Sequence, residues 1–395
     1  MPDGPGSASQ VRWYGAAKVI GLVRSEPGVT RAAAARRLRM SSGGAADLIA
    51  RLRRERLLDE TPAPAQGRGR PTTILGPHPE GPVVLAVELR SRDWRLAQAG
   101  LDGVPHVLAQ GRQGRTGQAR VLDDVADEIA AAYRHMAGRV RAVSVSVAGT
   151  LSDSRLVQFT TRGWRDVDLT ALTARLPRSA ALPLVLGNDA TLSGLAETRA
   201  GSARDARTAL HLIVLVGLGG TLVVGGEPVT GSHGAAGEYG HIPFGEPDLE
   251  CPCGARGCWD LTVDGRALAR HLGIAPPSDP VAYARRLLSA PRTPAIQAAF
   301  DTVASSLGRG IAGLVNLHDP DIVTLGGLAP PLRDAAPGPF DDAYRGGLMT
   351  FRKSGAPPVR DGLLGEDAPL HGAVAIALDR ITTEAALADW AARRG

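Results

Sequence analysis

The sequence predicts an α/β protein in which a small, basic, helical head precedes a larger body of two similar lobes. Three observations lead there. Residues 1–70 show short helical patterns and hold most of the excess positive charge. From about residue 82, strand-like runs are followed by helices, and this succession occurs twice. The chain has 395 residues, 44% of them apolar, enough for two or three domains with substantial cores. No run approaches the ~20 apolar residues of a membrane span. Residues 1–10, MPDGPGSASQ, lack the basic start and apolar stretch of a signal peptide and read as a disordered tail. A cytoplasmic protein without a membrane partner is expected.

In the head, residues 11–60, Tyr14 to Arg24 reads as a helix with Ala17, Ile20, Leu22 and Val23 available for its apolar face. Glu26-Pro27-Gly28 ends it, and Thr30 can cap a second helix, Arg31 to Leu38. After Arg39-Met40, Ser41 can cap a third helix to about Arg56, with Ala45, Leu48, Ile49 and Leu52 at helical spacing. This is the layout of a helix-turn-helix whose last helix enters a major groove. Residues 1–70 carry thirteen Lys/Arg against six Asp/Glu, a net of +7 on a chain of net +5, which points to nucleic acid at this end. Double-stranded DNA is the expected partner. Its expected contacts are Arg31, Ser41, Ser42, Gly43, Gly44, Ala46, Asp47 and Arg51. Several of these side chains are too small to read base edges, which leaves more to phosphate contacts and DNA shape.

Residues 61–80 read as a wing and linker. Within Leu57–Leu75, the run Gly67-Arg68-Gly69-Arg70-Pro71 is flexible and cationic. Such a segment suits a narrow minor groove, so Arg68 and Arg70 are expected to touch DNA.

The body begins with strands at 83–89, 94–100 and 106–110, a helix at 118–137 and a strand at 140–149. A strand at 182–190 opens a helix at 191–199, and 208–227 reads as a strand, a Gly-rich turn and a returning strand. Helices at 261–272 and 295–317, a strand at 321–327 and a terminal helix from about 370 complete it. The first lobe is therefore expected at 81–190 with the helix 370–395, the second at 191–369, and a cleft between them.

All three cysteines, Cys251, Cys253 and Cys258, fall within the eleven residues ECPCGARGCWD, 250–260. In a reducing compartment, clustered thiols favour metal over disulfide. A structural zinc site needs a fourth ligand. Of the nine histidines the nearest upstream is His241, with His233 eight residues further back, and ten residues form a comfortable return loop to Cys251. Gly254 and Gly257 permit the tight bends between the thiols. A structural Zn2+ on His241, Cys251, Cys253 and Cys258 is expected.

These residues resemble the signature of the ROK family (repressors, open reading frames, kinases). Gly237-Glu238-Tyr239-Gly240-His241, nine residues, then Cys-Pro-Cys-Gly-Ala-Arg-Gly-Cys-Trp-Asp match its order and spacing. The two-lobed body, Gly187-Asn188-Asp189-Ala190 and the N-terminal helix-turn-helix fit the same family, in its DNA-binding branch. The resemblance implies a winged helix-turn-helix followed by a two-lobed actin-like (ribonuclease H-like) sugar-kinase fold, with sugar in the cleft. It implies zinc on the same four residues and sugar contacts from Asn188, Asp189, Glu238, His241 and Asp260. Carboxylates and amides suit vicinal hydroxyls, and a zinc-bound histidine can donate from its second nitrogen. For Asp189 the plain alternative is an N-cap of the following helix.

The kinases of this family place Asp-x-Gly-Gly-Thr after the first strand, where bare backbone approaches ATP phosphates. Here that stretch is Glu88-Leu89-Arg90-Ser91-Arg92, so the cradle is lost and no enzyme is expected. Gly217-Leu218-Gly219-Gly220 and Gly326-Gly327 are retained but are also ordinary turns. Asp260 stands where the family usually has glutamate, and Thr161 where it usually has asparagine. The resulting expectation is a DNA-binding repressor of carbohydrate genes, sensing a sugar or sugar derivative. It would act as a homodimer or homotetramer on a palindromic operator. The alternatives are an ATP-dependent sugar kinase with a DNA-binding appendage and a ligand-blind DNA-binding regulator.

Overall fold

The computed structural model describes residues 7–63, 73–113, 117–136, 138–152, 155–232 and 234–393. Its head contains α1 (Ser7–Ser25), α2 (Arg31–Arg37) and α3 (Ser42–Arg54). Both expected caps form: Thr30 Oγ1 accepts from Ala33 N at 3.1 Å, and Ser41 Oγ from Gly44 N at 3.1 Å. The buried face of α1 differs from the one expected. Trp13, Ala16, Val19, Ile20 and Val23 are buried, whereas Ala17 and Leu22 are only half-buried. The three- and four-residue spacing from Trp13 selects this stripe. It packs in a core shared with Ala45, Leu48, Ile49 and Leu52 of α3.

Strands β1 (Leu58–Pro62) and β2 (Thr73–Pro77) pair antiparallel, Leu58 opposite Pro77 and Pro62 opposite Thr73. The pair also closes on the turn before α2: Thr30 bridges Ile74, and Leu75 N donates to Val29 O at 2.8 Å. Arg68 and Arg70 lie outside the described residues.

The chain forms two compact units. One comprises Met1–Val147, Asp168–Gly187 and Ala373–Gly395; the other comprises Ala148–Val167 and Asn188–Gly372. The expected lobe boundary at residue 190 is close to Asn188, but residues 148–167 belong to the second unit.

Beyond the head, the first unit contains β3 (Val83–Leu89), β4 (Asp93–Ala99), β5 (His106–Arg112), α4 (Gln118–His135) and β6 (Val140–Val147). With β10 (Leu184–Asn188) these give a five-stranded sheet in the order β10-β6-β3-β4-β5. β3 is antiparallel to β4 and parallel to β6, and every one of its residues is buried, the apolar run Val83–Val87 as expected and Glu88 with it. The terminal helix is two helices, α12 (Ala368–Ile381) and α13 (Glu384–Ala392). They hold the head: Arg24 Nη1 meets Asp379 Oδ1 at 3.0 Å, and Trp390 Nε1 donates to Glu55 O at 2.8 Å.

The second unit contains β7 (Thr150–Ser152), β8 (Arg155–Phe159) and β9 (Trp164–Asp168) in a small sheet, then α5 (Asp189–Ala200). Its main sheet has the order β13-β12-β11-β14-β15, from β11 (Thr208–Leu215), β12 (Gly217–Val224), β13 (Glu227–Pro228), β14 (Ile322–Gly327) and β15 (Val359–Asp361). The first three are antiparallel and β11, β14 and β15 are parallel, repeating the plan of the first unit's β5-β4-β3-β6. Helices α6 (Gly265–His271), α7 (Pro280–Ser289), α8 (Pro294–His318), α9 (Ala329–Ala335), α10 (Pro337–Gly347) and α11 (Thr350–Lys353) complete it. α8 is the core helix, with Phe300, Val303, Leu307, Ile311 and Val315 buried among Trp259 and Phe340. Helices α7 and α9–α11 were not anticipated. Their prolines look like breakers in sequence, yet in α7, α9 and α10 they occupy the first turn, where no amide hydrogen is needed.

Candidate ligand-binding site and metal centre

The thiol loop folds as a small hairpin. Cys251 N donates to Ala255 O at 2.8 Å, Gly257 N to Leu249 O at 2.9 Å, and Gly245 N to Gly257 O at 2.9 Å. Gly254 and Gly257 take φ of 101° and 68°, the left-handed region where glycine is unstrained, so the expected bends fall at these two residues. Trp259 anchors the far side: its amide donates to Ile242 O at 2.9 Å and its indole to Ser306 O at 3.1 Å.

The hairpin gathers the four expected ligands. One donor atom from each of His241, Cys251, Cys253 and Cys258 lies within 4.8 Å of the others. Cys253 Sγ and Cys258 Sγ are 3.7 Å apart, and Cys251 Sγ is 3.8 Å from His241 Nδ1. A tetrahedral zinc with Zn–S of about 2.3 Å sets its sulfurs roughly 3.8 Å apart, so donor set and spacing both fit that ion. Burial and the two neighbouring thiols push the Cys258 thiol up to about 12, the penalty a cation would relieve.

His241 links this centre to the polar site beside it. While Nδ1 faces the sulfurs, Nε2 lies 3.8 Å from Glu238 Oε2. Thr150 Oγ1 donates to Glu238 Oε1 at 3.2 Å. The preceding residue, Gly149, accepts from Asn188 Nδ2 at 3.1 Å, so Gly149-Thr150 brings Asn188, Asp189 and Glu238 into one neighbourhood. The structure also resolves the capping alternative. Asn188 is the N-cap of α5, its Oδ1 accepting from Ala190 N at 2.9 Å and Thr191 N at 3.1 Å. Asp189 is the first helical residue, half-buried.

Asp260 is placed differently. It is buried, Oδ1 accepting from Leu218 N at 2.6 Å and Oδ2 from Arg266 Nη2 at 2.9 Å. Asp264, fully buried, accepts from Gly217 N at 2.9 Å and from Arg266 Nε at 2.7 Å. Burial pushes the Asp264 carboxyl up, and Arg266 opposes that shift. The two aspartates and Arg266 thus pin the Gly217-Leu218 turn, and a methyl group at Gly217 would overlap Asp260 Oδ1. This glycine is needed for close packing. Asp264 and Thr150 were missed in sequence because they act through Gly217 and Glu238, 47 and 88 residues away, and Arg266 because it acts only through Asp260 and Asp264.

The turn after β3 is filled with side chains. Glu88 is buried, and Arg95 grips its Oε2 through Nε at 2.8 Å and Nη2 at 2.6 Å. Arg90 Nε bonds Asp93 Oδ1 at 2.5 Å across the same turn. Burial raises the Glu88 carboxyl, while Arg95 and Arg90 pull it back.

In the head, the N-cap Ser41 and, on α3, Ser42, Gly43, Gly44 and Asp47 are exposed, and Ala46 is half-buried. Arg51 is turned inward, its guanidinium 5.6 Å from the Trp13 ring centroid. Arg31 Nη1 lies 3.6 Å from Glu60 Oε1 and stays half-exposed.

Similar proteins fall into two functional groups. Kanosamine kinase of Amycolatopsis mediterranei is 30% identical over 265 residues, covering 65% of this chain and 83% of that protein. A putative xylose repressor of Caldicellulosiruptor is 32% identical over 179 residues, covering 42% and 44%. A crystal structure of a ROK family transcriptional regulator, a homologue of the E. coli MLC protein, superposes with a TM-score of 0.73 at 20% identity. It covers 97% of this chain and 100% of its own, so the shared fold includes the head. The ROK family model matches residues 106–380, and with the thiol loop and the duplicated sheet plan in place, the chain belongs to the ROK family.

Proposed function

We propose that this protein is a DNA-binding transcriptional repressor whose kinase-derived body senses a sugar without phosphorylating it. The carrying observation is the β3–β4 turn. Phosphoryl transfer rests on a preorganised cradle and metal for the nucleotide. In this chain Arg90 and Ser91 stand where bare glycine backbone would be needed, Arg90 bonds Asp93 across the turn, and Arg95 holds the neighbouring Glu88. The basic head with its capped α3 and paired β1 and β2 supports DNA binding, with Arg68 and Arg70 contacting the minor groove.

Asn188, Asp189, Glu238 and the Nε2 edge of His241 would meet the sugar hydroxyls. Asp260 would act mainly by holding the Gly217-Leu218 turn, since both its oxygens already have partners. Zinc on His241, Cys251, Cys253 and Cys258 would fix the imidazole in one tautomer and so orient Glu238. A ligand shifts DNA affinity only if it binds the DNA-competent and incompetent states unequally.

The test is paired. The protein is incubated with ATP, Mg2+ and a panel of hexoses, pentoses and their amino derivatives, and duplexes it retains are selected from a random pool. Specific duplex binding that a panel sugar weakens, without ATP turnover, supports the proposal. Sugar-dependent ATP turnover lost in Asp189→Ala would establish instead the kinase reading, which the kanosamine kinase similarity favours.

A further inference from the structure

The thiol hairpin holds a second chemistry beside its fit for a metal, because its three sulfurs are not equivalent. Cys251 and Cys258 are buried, 7% and 1% exposed, whereas Cys253 stands in the exposed stretch 252–256. Cys251 Sγ is turned to His241 Nδ1 at 3.8 Å. Cys253 Sγ instead accepts from Ala255 N at 3.5 Å and lies 3.7 Å from the buried Cys258 Sγ. An exposed thiolate with a second thiol in reach is the arrangement that oxidants select, the first sulfur reacting and the second resolving it. A disulfide sets its sulfurs about 2.0 Å apart, so this pair must close from 3.7 Å. The turn between them can supply that movement. Gly254 and Gly257 are its first and last residues, both with positive φ, and Ala255 and Arg256 between them are exposed. Cys251 is the poorer partner for Cys253, since only Pro252 separates them and the small ring would be strained.

We infer that Cys253 and Cys258 form a reversible oxidation site for hydroperoxides, whose product is a disulfide that no longer holds the metal. The Cys253 thiolate attacks the terminal oxygen of ROOH. The O–O bond breaks, Cys253 becomes a sulfenic acid, and RO⁻ leaves to take a proton from water. The Cys258 thiolate then attacks the Cys253 sulfur; the S–S bond forms, the S–O bond breaks, and hydroxide leaves as water once protonated. Two electrons pass from the sulfurs to the peroxide. The disulfide carries no charge, so only His241 and Cys251 remain as donors, too few for a structural zinc site. A thiol reductant reverses the reaction by exchange. This chemistry depends on the hairpin alone and holds for a repressor and a kinase alike.

The full-length protein, loaded with Zn2+ and freed of reductant, is titrated with hydrogen peroxide while a chromogenic chelator reports free zinc. One equivalent of peroxide is expected to release one equivalent of Zn2+ and to remove two thiols per chain. Dithiothreitol with Zn2+ should restore both. Trypsin cuts after Arg256 and so parts Cys253 from Cys258. Peptides 208–256 and 257–266 should stay joined until reduced, with the one alkylated thiol on Cys251. Cys258→Ser should stop at a sulfenic acid on Cys253, trapped by dimedone, and Cys253→Ser should form no disulfide. In wild type, a disulfide through Cys251, a sulfinic acid without a disulfide, or thiols untouched by excess peroxide overturns the inference. So does a disulfide form that keeps its full complement of Zn2+. A chain that takes up no Zn2+ yet joins the two peptides keeps the oxidation site and removes the metal centre.

Discussion

Arg95 holds Glu88 with two hydrogen bonds to one carboxylate oxygen, at 2.8 and 2.6 Å, across paired positions of β3 and β4. Both side chains are largely withdrawn from water, Arg95 14% and Glu88 3% exposed, and Arg95 is the main charge partner of the Glu88 carboxylate. Arg95→Met should therefore destabilise the protein by about 3–5 kcal/mol in urea unfolding. Adding Glu88→Leu should recover most of that loss, because a well-packed apolar pair removes the stranded charge. A single variant as stable as wild type would show that Glu88 is not held as a buried carboxylate.

A second buried group sets a pH limit. His211 on β11 is fully enclosed; Nδ1 lies 2.9 Å from Thr324 Oγ1, and Nε2 has no hydrogen-bond partner among the described residues. Burial lowers its pKa to about 4 from 6.5. The unfolded chain then binds the extra proton first, so stability is fully present above about pH 6.5 and falls as the pH drops toward 4. The loss attributable to this residue is about 3 kcal/mol. Urea unfolding between pH 7 and 4 should show that extra loss in wild type relative to His211→Gln, and parallel curves would refute it.

The DNA contacts proposed for Arg68 and Arg70 can be tested separately from those of the helices. Arg68→Ala with Arg70→Ala should weaken binding to selected duplexes and lower the slope of log K against log salt by about two, one for each lost contact. The head should melt as before, since its core comes from Trp13, Ile20, Ile49 and Leu52. An unchanged salt slope would place these arginines away from phosphate.

Local chemistry was the part of this fold that could be read from sequence. Thr30 and Ser41 cap their helices as their positions before apolar runs required, and the eleven-residue thiol cluster found its fourth donor ten residues upstream. What could not be read is which of several partners a side chain meets once the chain is folded. Asn188 looks like a ligand residue, yet its carboxamide is largely engaged in capping α5 and bonding Gly149. Asp260 sits inside the signature but is turned toward Leu218 and Arg266. The Pro-led helices α7, α9 and α10 are stabilised by packing on the α8 side of the unit, which no local pattern reveals.

On the proposed reading, the link from Cys251 through His241 to Glu238 couples sugar response to the metal in one direction only. Trp259 is held by Ile242 O and Ser306 O, and Arg266 holds Asp260 and Asp264, so the body has anchors that do not involve the thiols. Stripping zinc with a chelator should therefore leave far-UV circular dichroism intact. It should still release His241 and weaken binding of the best panel sugar by about 10- to 100-fold. Cys258→Ser should reproduce the stripped state, and returned Zn2+ should restore the stripped wild type but not the variant. Thr150→Val removes only the hydroxyl that donates to Glu238 Oε1, so it should weaken the same sugar without reducing zinc content measured by plasma emission. Full sugar affinity in protein verified as metal-free would break the link between the two sites.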